Sequence, residues 1–240
     1  MKMVALVSRV ALLMVLMQSS VSAAESAKTE AANRKMMHEY ARCVVKQKRE
    51  QASDAIVSNS DNATIVRRYP ELLGNDCLGR VAGSIQMRFG GDLYRYALAD
   101  ALVNLDFVAK SEGTFTDRLP LAHLAPPDRV KLDDYLAKTK SKRKRDEAEQ
   151  SFNKQYVVAW LSGYGECVVR SEPIKARQWL LTPPGGPEEI SRINDLRPAF
   201  NECLGDGTMK FNRVTMRGTV AINYYRLAMA TPQPVAVKGK

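Results

Sequence analysis

The sequence predicts an all-α protein, and three observations carry that reading. Apolar residues recur at steps of three and four along several stretches, and alternation of the strand kind is nearly absent. Residues that start and stop helices also flank those stretches. The four cysteines, Cys43, Cys77, Cys167 and Cys203, fall in or beside the periodic runs, in two similar neighbourhoods.

The N-terminus has the three parts of a secretory signal in order. Lys2 gives the positive start, Val10 to Met17 is an uninterrupted apolar run, and Val21-Ser22-Ala23 offers small residues for cleavage. Eight apolar residues make about 12 Å of helix, against a bilayer core of roughly 30 Å. Residues 1–23 are therefore expected to be removed after Ala23, leaving no transmembrane anchor, since no later run reaches 18 apolar residues. The expected location is periplasmic or secreted.

The full chain has 36 Lys and Arg against 26 Asp and Glu, so loss of Lys2 and Arg9 leaves 34 against 26, a net charge of +8. That balance favours anionic partners such as lipid headgroups, acidic polysaccharide or acidic proteins. Export argues against nucleic acid. In an oxidising compartment an even number of cysteines reads as disulfides. A structural zinc would need short Cys or His clusters; here 33, 89 and 35 residues intervene between successive cysteines, and His38 and His123 fall in no ligand pattern. No metal or cofactor is expected.

Laying Cys43 on Cys167 aligns the two neighbourhoods without a gap. Tyr40 meets Tyr164, Cys43-Val44-Val45 meets Cys167-Val168-Val169, Lys46 meets Arg170 and Ala52 meets Ala176. After a two-residue insertion near Pro183-Pro184-Gly185-Gly186-Pro187, Asn75-Asp76-Cys77-Leu78-Gly79 falls on Asn201-Glu202-Cys203-Leu204-Gly205, followed by Gly83-Ser84-Ile85 on Gly207-Thr208-Met209. The expectation is two homologous helical modules of about three helices each, residues 24–110 and 151–230, packed together or joined by a basic linker. A module copied whole carries its own staple, which selects Cys43 with Cys77 and Cys167 with Cys203. Removing one staple should then loosen mainly its own module.

Each module opens on a helix. Met36, Met37, Tyr40, Cys43 and Val44 share one face in the first, and Tyr156, Ala159, Trp160, Gly163, Tyr164, Cys167 and Val168 in the second. A second helix is expected from Pro187, with Glu188 and Glu189 favourable against the macrodipole. Its apolar face is Ile190, Ile193, Leu196, Phe200, Cys203 and Leu204. Gly205 is the expected left-handed stop, and Gly79 its counterpart. The third helix carries Leu98, Ala101, Leu102, Leu105 and Val108 in one copy and Val220 to Met229 in the other.

Residues 111–150 differ in character. Leu119 to Pro127 is proline-bearing, Asp128 is a helix start, and Lys138, Lys140, Lys142, Arg143, Lys144 and Arg145 put six cations in eight residues. Such a run can dock on phosphate or carboxylate surfaces, although Asp146, Glu147 and Glu149 balance it and a solvated linker or helix face is the plainer expectation. From Thr231 the tail, with Pro232 and Pro234, is expected to be disordered.

Nucleophile elbows, phosphate loops, His-Glu-x-x-His and calcium loops are missing from the sequence. No catalytic residue can be named. Glu166, Glu188 and Glu189 are expected to be solvated helix carboxylates, His123 has no partner legible in sequence, and Trp160, Trp179, Tyr224 and Tyr225 are expected in a core or groove. Gly163-Tyr164-Gly165 is expected to be a close-packing spot. The function expected is that of an exported, non-enzymatic helical binding or scaffold protein whose partner is an envelope protein or anionic envelope component. The alternatives are polyanion or membrane-surface binding through 138–145, and a hydrolase with an unrecognised site.

Overall fold

A computed structural model describes residues 28–82, 92–109, 113–205 and 212–232. The signal segment, the glycine-led matches at 83–85 and 207–209, and the tail from 233 lie outside the described residues. Among the described residues the chain is all-helical, with no strand. Helix α1 covers 28–47 and bends at Lys48 into α2 (Arg49–Val57). Next come α3 (Asn62–Arg68), a single 3-10 turn (Pro70–Leu73), α4 (Asn75–Ala82) and α5 (Leu93–Asp106). An irregular strap, 113–128, leads to α6 (Arg129–Lys138) and to α7 (Lys142–Ser171), which is 30 residues long. The chain bends again at Glu172 into α8 (Pro173–Leu180), then α9 (Pro187–Asp195), α10 (Arg197–Leu204) and α11 (Arg213–Met229).

The sequence sets these ends through side chains that meet orphan backbone groups. Asp61 Oδ1 accepts from the Thr64 N–H at 2.7 Å, Asp128 from Val130 at 2.9 Å and Asn212 from Thr215 at 2.8 Å. Pro173 and Pro187 stand in the first turns of α8 and α9, where their missing donor costs nothing. Gly205 ends α10 at φ +60°.

Helices α5 and α11 form the most extensive contact, and α11 also packs on α7, α2 and α8. One apolar core joins both halves: Tyr40, Val44, Ile56, Leu98 and Leu102 share a cluster with Val168, Trp179, Phe200, Ile222 and Leu227. Two glycines permit the closest approaches. A Cβ on Gly165 would meet Asn223 Nδ2 and Thr219 Cγ2 at 2.5 Å, and one on Gly218 would meet the Tyr96 ring at 2.1 Å. The disulfides join Cys43 to Cys77, with Cα atoms 5.6 Å apart, and Cys167 to Cys203, at 5.8 Å. The first ties α1 to α4 and the second ties α7 to α10.

Several sequence expectations change. The second helix of the C-terminal half is two helices, because Pro198 occupies the first turn of α10 and the chain turns at Leu196. With that break Ile190 leaves the inner face and is 55% exposed. Gly79 lies inside α4 rather than ending it. Val108 falls beyond the end of α5 and is exposed, and Tyr156 and Cys167 point outward on α7. In the basic segment Lys142 to Arg145 form the first turn of α7, the helix face that the sequence allows there, and Asp128 starts α6 as expected.

Candidate functional site

Three polar constellations stand out, and only one lines a sizeable space. It is a groove of about 660 Å³ formed by the outer face of α2, the end of α5 and the last turns of α11. Arg49, Ser53 and Val57 repeat every four residues along α2, so they project side by side. From the other side come Tyr225, Ala228 and Met229 of α11, with Asp106 and Phe107 at the end of α5. The groove therefore belongs to both halves of the chain. At its floor Tyr225 Oη donates to Asp106 Oδ2 at 3.0 Å and hydrogen-bonds Ser53 Oγ at 2.9 Å. Burial pushes the Tyr225 phenol up to about 12, so it keeps its proton and Asp106 remains the acceptor. Arg49 Nη2 reaches Asp106 Oδ1 at 2.7 Å, but the Arg49 side chain is 62% exposed and can swing aside. Asp54, also in the groove, accepts from Tyr69 Oη at 2.6 Å. With Arg49 the only cation against Glu50, Asp54 and Asp106 in this lining, the groove is acidic in a basic protein.

The second constellation is a buried charge network between α1, α5, α9 and α11. Arg217 Nε donates to Asp100 Oδ1 at 3.0 Å, and its terminal nitrogens donate to the carbonyls of Trp179, Leu180 and Thr182. Arg34 grips Glu189 with both terminal nitrogens, and the Gly185 N–H donates to the same carboxylate at 3.1 Å. His38 Nδ1 lies 2.8 Å from Asp100 Oδ2. Burial works against the Asp100 carboxylate, but the Arg217 charge and the His38 hydrogen bond outweigh it and hold its pKa below the usual range. Above this network, Met37, Leu93, Tyr96, Ala97 and Val214 bound a cavity of only about 40 Å³.

The third fastens the strap. Glu166 accepts from Arg170 Nε at 2.6 Å and from the Leu121 N–H at 3.1 Å, and lies 2.5 Å from His123 Nε2. His123 Nδ1 is 2.7 Å from Ser162 Oγ. Arg170 also donates to the carbonyls of Phe115, Arg118 and Leu119. The residue types are those of a Ser-His-Glu triad, but the imidazole is turned the other way from the usual one, with Nδ1 at the serine. Both carboxylate oxygens are already held by the strap and by Arg170, so the arrangement works as a clamp.

Glu166 and Glu189 are therefore buried and paired, against the expectation of solvated carboxylates, whereas Glu188 is exposed. The Glu166–Arg170 pair could have been read from its four-residue spacing. Nothing in sequence joins Arg34 to Glu189, 155 positions apart. Trp179, Tyr224 and Tyr225 are buried. The six cations of 138–145 stay apart from all three constellations. Lys138 pairs with Asp134 at 2.7 Å and Arg143 with Glu147 at 2.6 Å, and Lys140, Lys142, Lys144 and Arg145 lie at the surface. Among the described residues no cluster of three metal-ligating side chains occurs, and no helix is long and apolar enough to cross a membrane.

Comparison with known proteins gives no further footing: no family model, no curated protein and no solved structure matches this chain.

Proposed function

We propose that the chain is an exported, non-enzymatic binding protein, built from two copies of one disulfide-stapled helical module and acting in the periplasm or outside the cell. The two disulfides suit an oxidising compartment. Both halves also run through the same series, a helix with a bend into a short second helix, then short helices, then a long core helix, which supports the duplication.

The observation that carries the binding reading is the groove between α2 and α11. It is large enough for a ligand or peptide side chains, it joins apolar rim to convergent polar groups, and it rests on α5 and α11, the helix pair with the most extensive contact. Its chemistry fits a segment of an envelope protein that offers an apolar group beside a basic one. The cation would take the place of Arg49 at Asp106, while the apolar group covers Val57 and Met229. Asp106→Asn with Val57→Glu should weaken capture of the envelope partner at least tenfold in a pull-down with mature protein, and an unchanged capture profile would retire the groove.

A second reading, binding to an anionic surface, draws on the exposed cations of 138–145. Neutralising Lys142, Arg143, Lys144 and Arg145 together should reduce sedimentation with anionic vesicles and flatten its salt dependence, without lowering Tm. Sedimentation that stays the same across salt concentrations in the variant removes this reading.

A further inference from the structure

The outward face of α1 has a counterpart on α7, and the two faces are treated differently. With Cys43 laid on Cys167, the bend at Lys48 falls on the bend at Glu172. Buried Tyr40, Val44 and Val45 fall on buried Tyr164, Val168 and Val169. The outward positions therefore correspond as well, Arg42 with Glu166 and Lys46 with Arg170. On α7 these positions hold the strap, and they hold it largely by its backbone. Arg170 donates to the carbonyls of Phe115, Arg118 and Leu119, and Glu166 accepts from the Leu121 N–H.

On α1 the same positions line an open basin of about 340 Å³, outside the three polar constellations. Glu39, Arg42, Lys46 and Gln47 come from α1 and Arg80 from α4, around the Cys43 end of the first disulfide. Among the described residues Arg42, Lys46 and Arg80 form no ion pair, and the one acid of the lining, Glu39, lies 3.9 Å from Lys35. The chemistry of each position says what would cover it. Lys46 stands where Arg170 stands and, like it, can donate to main-chain carbonyls. Arg42 reverses Glu166, so a cation replaces the carboxylate that meets the strap, and Arg80 adds a second. Carboxylates are the strongest acceptors for such guanidinium groups. The occupant that fits is extended chain bearing acidic side chains.

We propose that this basin is a docking site for an extended acidic segment of another protein, lying across α1 as the strap lies across α7. The site rests on the duplication and is separate from the groove between α2 and α11, whose charge preference is the opposite.

Fluorescein-labelled hexaglutamate is the probe, followed by fluorescence anisotropy with mature protein in low-salt buffer. It should bind, with an affinity that falls as salt is raised. Lys46→Glu with Arg80→Glu should weaken binding at least tenfold; both residues are exposed, so the fold should survive. Neutralising Lys142, Arg143, Lys144 and Arg145 should weaken it less than twofold, because that run lies outside the basin. Free glutamate at the same carboxylate concentration should fail to displace the peptide, since single exposed charge contacts are weak and gain only when linked. If the double reversal fails to fold, Lys46→Gln with Arg80→Gln makes the same comparison. Absence of binding overturns the proposal, as does binding that survives the reversal or is lost on neutralising 142–145. Displacement by free glutamate overturns it too, because the basin would then hold any anion and not a segment. The assay reads the basin alone, so its failure leaves the duplication and the groove standing.

Discussion

Gly163 and Gly165 stand two positions apart on α7, yet the packing gives them opposite roles. A Cβ at Gly165 would collide with Asn223 and Thr219 of α11, including the Thr219 carbonyl at 2.9 Å, whereas a Cβ at Gly163 would meet nothing within 4 Å. Gly165→Ala should destabilise by about 1–3 kcal/mol through overpacking. Gly163→Ala should stabilise by up to about 1 kcal/mol, as alanine does for glycine in an open helix position. Urea unfolding of the two variants checks both signs, and equal effects would mean that α7 and α11 do not approach here. The sequence marks both glycines as one close-packing spot, and it cannot separate them because their difference lies in α11, more than fifty residues away. The same limit explains Glu189. A carboxylate on a helix looks solvated until the arginine that buries it is placed, and Arg34 and Arg217 come from distant helices.

At the scale of elements, periodicity located the long helices and missed the short ones. Stretches such as α2 and α8 are too brief to show a clear 3.6-residue pattern, and α9 and α10 share one apolar stripe although Pro198 separates them. The strap lies in the stretch that the sequence reads as linker, because its proline-bearing composition carries no period. Its order comes from Glu166, Arg170 and Arg226, which meet its backbone from α7 and α11. The disulfides act on these elements. Each closes a loop, 34 and 36 residues apart in sequence, worth about 4 kcal/mol in the chain-entropy model. Cys43→Ser should lower stability by that order. The loss should appear as one calorimetric transition shifted for the whole chain, rather than loosening confined to the first half, because α2 and α5 share their core with α11. Two resolved transitions would show that the halves unfold independently.

For the whole molecule, the export reading predicts a mature N-terminus at Ala24, since Val21-Ser22-Ala23 is the one strong cleavage site after the apolar run. N-terminal sequencing of protein recovered outside the cytoplasm decides it, and an intact Met1 would overturn the signal. By itself the sequence determined the all-helical class, through apolar periodicity, and the cysteine neighbourhoods, through local words that need no folding to be read. It also determined the basic surface run, because six cations within eight residues have too few partners within reach to be buried. Only the tertiary structure decided that two halves make one core, which carboxylates and arginines are interior, and that an acidic groove opens between α2 and α11. Each of those depends on side chains far apart in the chain, whose meeting is set by the angle at which helices pack and by where glycine lets them touch. Composition and period describe one helix face at a time, and a site built from three helices exists only after they are assembled.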